Sequence, residues 1–197
     1  PFEVAQSISE GLARNVLSAA FNGNTVEAST PLEENGNIQL FTWNDPKGKT
    51  AFWHSSAHLL AQSILALYPQ AKLTIGPAIE NGFYYDVDFG EVSFSEKDLP
   101  ALEKQFLSFA REKFEFKMRS SSKAEALDFY QKENNPFKLE LIENLEDGTI
   151  SFCDHADFTD LCRGGHIPHT GFVKAVKLLS VAGAYWRGDE TKPQLTR

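Results

Sequence analysis

The sequence predicts an α+β protein made of two units, and three observations lead to this prediction. Segments with helical and with strand periodicity alternate irregularly along the 197 residues. Hydrophobic residues make up 42% of the chain, which includes 16 phenylalanines, so a packed core is expected. A turn-rich stretch at residues 44–48 separates a short first unit, residues 1–48, from a longer second unit, residues 49–197.

The first unit is predicted to contain two helical segments followed by a hairpin. Helical periodicity covers residues 1–7 and 10–16, and a strand is expected over residues 17–21. Asn22 and Gly23 form a dipeptide typical of two-residue hairpin turns, which predicts a second strand at residues 25–28. A third strand is expected at residues 38–43.

The second unit is predicted to open with a helix over residues 52–67, which ends before Pro69. A long amphipathic helix is expected after Ser95, whose hydroxyl can cap it. Two shorter helices are predicted at residues 123–131 and 136–144. Strands are predicted at residues 73–76, 82–89, 114–119, 149–154 and 171–179.

Composition restricts the environment and the partners. The sequence shows neither an apolar run of membrane-spanning length nor a signal-like leader, so a cytoplasmic protein is expected. The formal net charge of −8 argues against a strong nucleic-acid interface, which normally shows as a basic face. Only Cys153 and Cys162 are present, too few for a disulfide framework.

Two short patterns predict one functional site. His54 and His58 are four residues apart, so a helix places them on one face. Cys162 and His166 have the same spacing across two glycines, which free the backbone to bend. We expect these four side chains to face a common pocket.

The residue types leave three explanations open for this quartet. Histidine and cysteine are ligands that zinc prefers, although the glutamate that follows the first histidine of metalloprotease helices is missing. The histidines, together with Lys138 and Asp160, could instead position and activate water without a metal. Buried, hydrogen-bonded histidines of the core are the third explanation.

Four ordered blocks carry a resemblance to a known family. They are HSSAHLL at 54–60, IGPAIENGFYYD at 75–86, DLCRGGHIP at 160–168 and AGAYWRGD at 182–189. Together they resemble the amino-terminal region of bacterial threonyl-tRNA synthetases. Residues 1–48 resemble a TGS domain, a ubiquitin-like β-grasp fold without its opening hairpin. Residues 49–197 resemble the editing domain of the threonyl and alanyl enzymes.

The resemblance implies hydrolysis of serine mischarged onto threonine tRNA, at the ester on the 3′-terminal adenosine. It also implies a fragment of a longer synthetase, whose missing domains would hold the ATP site, a zinc site and the homodimer interface. No metal is expected at the quartet for editing. The alternatives are a zinc-binding RNA-interaction module without hydrolytic activity and a free-standing trans-editing protein.

By the same resemblance, His54 would position water or transfer a proton, and Lys138 would activate water or stabilise the oxyanion. Asp160 would hold the seryl ammonium group or orient a histidine. The implied catalytic residues are His54, His58, Lys138, Asp160, Cys162 and His166.

The implied substrate-binding residues surround this group. Tyr85 would contact the ribose or the seryl group, and Phe83 or Tyr84 would stack on the terminal adenine. Gly76 and Pro77 would shape the pocket wall, and Arg163 would meet backbone phosphate. The family commonly has proline where this chain has Gly165, so a less preorganised loop before His166 is expected.

Overall fold

The computed structural model describes all 197 residues and confirms the mixed α+β class. Four small sheets, of three, three, four and two strands, are all antiparallel. No helix combines the length and the hydrophobicity needed to cross a membrane.

The first sheet has the strand order β2-β1-β3. The turn between β1 and β2 places Asn22 at φ 49° and Gly23 at φ 84°, the two positive values that a type I′ turn requires, so the predicted hairpin is confirmed. Two short helices pack beside it through Ala5, Ala13 and Val16. The elements are α1 (Phe2–Ile8), α2 (Glu10–Ala13), β1 (Ser18–Phe21), β2 (Asn24–Val26) and β3 (Ile38–Phe41).

The longest helix, α3 (Pro46–Leu67), begins earlier than predicted. Proline is favoured in the first turn of a helix, where its missing N–H costs nothing. Gly48 packs against the end of the first unit so closely that a Cβ there would stand 2.0 Å from the carbonyl oxygen of Thr42. The prediction of a linker over residues 44–48 is therefore wrong in its second half, because residues 46–48 are helical. The domain boundary near residue 48 stays a prediction.

The remaining chain forms three sheets with helices packed beside them. The strand orders are β10-β9-β8, β11-β12-β7-β4 and β5-β6. The strands are β4 (Lys72–Leu73), β5 (Ala78–Ile79), β6 (Gly82–Phe83), β7 (Val87–Asp88), β8 (Lys117–Ser121), β9 (Ile150–His155), β10 (Phe158–Leu161), β11 (Gly183–Tyr185) and β12 (Gln194–Thr196). The helices are α4 (Leu99–Arg111), α5 (Lys123–Lys132) and α6 (Pro136–Glu143).

Two strand predictions are wrong and four strands were missed. The strand expected at residues 82–89 is divided into β6 and β7. Residues 171–179 form no strand: a 3₁₀ turn at Thr170–Phe172 is followed by chain without a β partner. Val173 is buried and Leu178 packs against the core, so the apolar pattern here reflects packing rather than sheet pairing. Strands β5, β10, β11 and β12 were not predicted.

The main core lies between α3, α4 and the sheet strand β9, and it positions the quartet. It comprises 20 buried residues, among them Leu59, Phe106 and Cys153. Because every residue of α3 from Ser55 to Ile64 is buried, the helix is held at a fixed rotation. That rotation directs His54 and His58 towards the segment that follows β10.

Candidate functional site

The structure brings the two sequence patterns together around one sulfur atom. The Nε2 atoms of His54, His58 and His166 lie 3.1, 3.3 and 3.3 Å from Sγ of Cys162. The Nε2 atoms of His54 and His58 are 3.3 Å apart. Three imidazoles from two separate segments therefore converge on a single thiol.

Two glycines make the turn between Cys162 and His166. Gly164 and Gly165 have φ values of 91° and 88°, in the left-handed region that glycine adopts without strain. Proline is locked near −65° and could not take the place of Gly165 in this conformation. The expected loosening of the loop is opposed by Glu27, whose carboxylate accepts the backbone N–H groups of Gly165 and His166 at 2.8 and 3.0 Å.

Asp160, on β10, is the hub of the polar network beneath the quartet. Its carboxylate accepts hydrogen bonds from Lys138 Nζ at 2.5 Å and from the hydroxyl groups of Tyr85 and Tyr130 at 2.9 and 3.2 Å. The backbone N–H of Leu161 donates a fourth at 2.8 Å. A carboxylate offers about four lone-pair positions, so Asp160 is fully used by the protein itself.

His58 joins the quartet to this hub. Its Nδ1 atom lies 3.4 Å from Oδ2 of Asp160, a long contact for a hydrogen bond but well within the range of electrostatic attraction. Lys138 is placed by the N-terminus of α6, where the side chain of Asn135 caps the helix and accepts the Lys138 N–H at 3.1 Å. Asn135 in turn donates to the carbonyl of Leu73 at 2.8 Å, which ties α6 to β4.

Burial and neighbouring charges move the pKa values in opposite directions across the site. Burial by itself would raise the pKa of Asp160, but the ammonium group of Lys138 and the His58 ring outweigh it, so the pKa is lowered. Burial likewise opposes ionisation of Cys162, yet hydrogen bonds from His166, His54 and His58 lower its pKa to about 3. The surroundings of Cys162 therefore favour its thiolate form.

The three quartet histidines differ from each other. Burial lowers the pKa of His54 despite its contact with Cys162. For His58 burial is outweighed by Asp160 and Cys162, and for His166 by the cysteines and Glu27, so both pKa values are raised. His54 is thus the one quartet histidine whose pKa is lowered, which favours its neutral form.

A cleft of about 750 Å³ opens onto this network. Its lining includes eight of the predicted site residues together with Arg163, which is exposed at the rim. The eight are His54, His58, Gly76, Pro77, Tyr85, Lys138, Asp160 and Cys162. His166 is fully buried behind Cys162.

Phe83 and Tyr84 do not line this cleft, and their stacking on the terminal adenine stays a prediction. Both residues line a second, mostly apolar cavity of about 650 Å³, and Tyr84 lies beneath the guanidinium group of Arg197 at 3.9 Å. Tyr85 is the residue of the aromatic row whose hydroxyl reaches Asp160, at 2.9 Å.

Gly76 determines where the ring of Tyr85 can lie. A Cβ at position 76 would stand 2.1 Å from Cδ2 and 2.4 Å from Cε2 of Tyr85. Only a residue without a side chain allows the ring to close over the Asp160 carboxylate at this point.

Sequence reasoning missed Glu27 and Tyr130. Tyr130 is an apolar position of an amphipathic helix by its spacing, and nothing in the pattern marks its hydroxyl, which also accepts the N–H of Leu161 at 2.8 Å. Glu27 is one acidic residue among 27 Asp and Glu, and its partner is 139 positions away in the chain. Only the tertiary structure makes either role visible.

Comparison with known proteins agrees with this arrangement. Residues 1–42 match the TGS domain model, and residues 150–197 match the model of the threonyl and alanyl tRNA synthetase second additional domain. The chain is 64% identical over its whole length to a threonine–tRNA ligase of Flavobacterium johnsoniae and 62% identical to that of Flavobacterium psychrophilum. A threonine–tRNA ligase of Cytophaga hutchinsonii is 56% identical over 98% of the chain.

The resemblance to the amino-terminal region of bacterial threonyl-tRNA synthetases is thereby confirmed. The chain carries the TGS domain, with its β-grasp fold, and the editing-type second additional domain. It spans 30% of the length of the curated ligases that it matches.

The TGS domain forms part of the cleft wall in this threonyl-tRNA synthetase region. Ser18, Thr25 and Phe41 line the cleft beside the residues of the editing-type domain. A Cβ at Gly165 would lie 3.6 Å from Cγ2 of Thr25, in ordinary contact. The two domains therefore meet at the loop that bears His166.

The quartet has the donor set and the approximate dimensions of a zinc site. Four ligands arranged tetrahedrally about zinc lie about 3.3 to 3.6 Å from each other. Four of the six donor separations, at 3.1 to 3.3 Å, are close to this, and the remaining two are no longer than 4.8 Å. The residues thus fit a zinc ion held by His54, His58, Cys162 and His166.

Proposed function

We propose that this chain is an editing fragment that hydrolyses serine mischarged onto threonine tRNA, without a metal ion, at the 3′-terminal adenosine ester. The observation that carries the proposal is the convergence, in one cleft, of the neutral His54 and the buried Lys138 ammonium group. A general base and a cation facing the same space are what ester hydrolysis requires.

A separate hydrolytic site has a physical reason. Serine lacks one methyl group of threonine, and a synthetic pocket can reject the smaller amino acid only by lost contacts, worth roughly 1 to 3 kcal/mol. A second site that admits serine and clashes with the extra methyl reverses the selection. The closely packed wall formed by Gly76 and Tyr85 is suited to such a steric test.

In the proposed reaction, water attacks the carbonyl carbon of the seryl ester. His54 accepts a proton from this water through Nδ1, which has no protein partner, while Nε2 contacts the Cys162 sulfur. The ammonium group of Lys138 stabilises the negative oxygen of the tetrahedral intermediate. The bond to the ribose oxygen then breaks, that oxygen takes up the proton, and free serine and tRNA are released.

Asp160 acts as an orienting group in this scheme. Its carboxylate already accepts from Lys138, Tyr85, Tyr130 and the backbone, so little capacity remains for a seryl ammonium group. Of the two roles that the resemblance implies for Asp160, the contacts support orientation of Lys138 and His58.

The proposed partner is the 3′ end of threonine tRNA. Arg163 and Lys47 are cations among the residues lining the cleft and could meet phosphate groups there. A homodimer formed through domains outside this chain, and a cytoplasmic location, belong to the same proposal.

Deacylation of Ser-tRNA(Thr) by the purified chain tests the proposal. Hydrolysis well above the buffer rate is expected, together with its loss in His54→Ala and in Lys138→Ala. Wild-type hydrolysis no faster than in buffer would refute the proposal.

A zinc-binding RNA-interaction module is the second candidate, and the donor distances of the quartet favour it. Zinc held there would cross-link α3 to the Cys162–His166 loop and thereby stabilise the fold. A shell of four protein ligands leaves no position for water, so such an ion would be structural. Stoichiometric zinc whose removal unfolds the chain, without deacylation activity, would support this candidate.

A further inference from the structure

Glu27 belongs to the TGS domain but makes its polar contacts with the editing-type domain. It follows β2, and its side chain, 12% exposed, crosses to the loop after Cys162. Oε1 accepts the N–H of Gly165 at 2.8 Å and Nδ1–H of His166 at 3.1 Å, while Oε2 accepts the N–H of His166 at 3.0 Å. One carboxylate thus binds three donors on two successive residues.

These contacts hold a segment that would otherwise be free to move. Glycine has more accessible backbone conformations than any other residue type. Fixing the backbone of Gly164 and Gly165 in one conformation therefore carries a large entropic cost. Hydrogen bonds to an ionised acceptor are roughly twice as strong as neutral ones. Glu27 therefore compensates for the flexibility of the two glycines at the point where His166 must be placed.

The contact with Nδ1 determines which ring nitrogen of His166 faces the Cys162 sulfur. Because Nδ1 donates to Glu27, Nε2 points at the Cys162 sulfur at 3.3 Å. The other neighbour of Nδ1 is the sulfur of Cys153 at 3.8 Å, a much weaker partner. Without Glu27 the imidazole could turn over, and the direction of its contact with Cys162 would be lost.

We infer that Glu27 is a positioning residue of the hydrolytic site: the TGS domain supplies the carboxylate that fixes the ring orientation of His166. This inference rests on the proposed editing function for its kinetic consequence. The structural part of the inference, that a residue of the other domain controls the orientation of the His166 ring, can be tested separately. The site is then assembled by both domains rather than by the editing-type domain alone.

A purely mechanical contact between the domains would have a different signature. Removing such a contact lowers the free energy of unfolding but leaves the His166 ring as it was. Glu27→Gln distinguishes the two cases, since the amide keeps the shape of the side chain but offers a single acceptor oxygen. Glu34→Gln is the matched control. Glu34 is an exposed residue of the same domain, and its substitution by glutamine removes the same charge.

Nitrogen-15 spectra of histidine-labelled protein give the first readout. In the wild-type chain we expect a slowly exchanging proton on Nδ1 of His166, assigned by its disappearance in His166→Asn. The signal should persist in Glu34→Gln and shift or vanish in Glu27→Gln at a temperature where both variants are folded. An unchanged His166 signal in Glu27→Gln would overturn the inference. Absence of the signal from the wild-type spectrum would also overturn it, and that result does not depend on the folding of any variant.

Kinetics of Ser-tRNA(Thr) deacylation give the second readout. We expect kcat to fall roughly 10- to 100-fold in Glu27→Gln with little change in KM, as when the group orienting a functional histidine is lost. Unchanged kcat would overturn the positioning role. If the wild-type chain itself fails to deacylate, the proposed function is refuted, whereas the spectra still decide whether Glu27 controls His166.

Discussion

Lys138 and Asp160 form an ion pair that is almost completely buried. Their side chains are 3% and 5% exposed, and Nζ of Lys138 lies 2.5 Å from Oδ1 of Asp160. An unpaired charge at this depth would be expensive, so each residue requires the other. The pair keeps an ammonium group beneath a cleft in a protein whose net charge is −8.

Removing the lysine charge should therefore destabilise the fold. Lys138→Met leaves Asp160 buried without its partner, and we expect the free energy of unfolding in urea to fall by about 3 to 5 kcal/mol. Lys132→Met is the control, because Lys132 pairs with Asp128 at the surface, where an ion pair contributes roughly 0 to 1 kcal/mol. Equal losses in the two variants would contradict the importance of the buried pair.

Gly76→Ala should displace Tyr85 and impair hydrolysis. The added Cβ would meet the Tyr85 ring at 2.1 Å, so the ring must move and its hydroxyl must leave Asp160. We expect a large loss of kcat/KM for Ser-tRNA(Thr), measured beside Gly11→Ala, whose Cβ would have only an ordinary contact at 3.9 Å. Full activity in Gly76→Ala would show that the position of the Tyr85 ring does not matter.

His155 should make the stability of the fold depend on pH. Its ring is 2% exposed between Phe116 and Phe158, and neither ring nitrogen has a hydrogen-bond partner. Burial lowers its pKa to about 3, against about 6.5 in the unfolded chain. The unfolded state therefore takes up the extra proton, and stability is lost as pH falls from about 6.5 towards 3.

The variant His155→Phe should reduce this loss. The free energy of unfolding that is lost between pH 7 and pH 4 should be smaller in the variant than in the wild type, by on the order of 3 kcal/mol. Urea titrations at pH 7, 5.5 and 4 measure it. Parallel pH profiles for wild type and variant would mean that His155 is not the group responsible.

Zinc should inhibit the hydrolysis that we propose. A zinc ion bound by all four quartet side chains would occupy Nε2 of His54 and draw together the side chains that surround the attacking water. Deacylation should survive treatment with a chelator and slow as zinc is added, whereas magnesium, which prefers oxygen ligands, should have no effect. Loss of activity on chelation and its recovery with zinc would contradict metal-independent catalysis.

Local signals predicted the parts of the fold that depend on local chemistry. The Asn22–Gly23 turn, the helix after Ser95 and the helix that bears His54 and His58 all follow from short-range patterns. Strands β5, β10, β11 and β12 were missed because strands of two to four residues are too short to show a periodic pattern. The strand expected at residues 171–179 was wrong, because apolar alternation records burial and does not reveal whether a neighbouring strand is present.

In the candidate site, too, local patterns were predictive and contacts that depend on tertiary packing were not. The four-residue spacings of His54 with His58 and of Cys162 with His166 predicted a convergence that the structure shows around one sulfur atom. The contribution of Glu27 could not be predicted, since it depends on how two domains pack. Phe83 and Tyr84 line a second cavity instead of the cleft that holds the quartet, and a row of consecutive aromatic residues does not specify which cavity each side chain enters.

The selectivity of deacylation tests the central claim most directly. Ser-tRNA(Thr) and Thr-tRNA(Thr) are incubated separately with the purified chain, and the release of amino acid is compared with that in buffer. The account predicts rapid hydrolysis of the seryl ester and hydrolysis of the threonyl ester close to the buffer rate. Equal hydrolysis of both esters, or of neither, would contradict it.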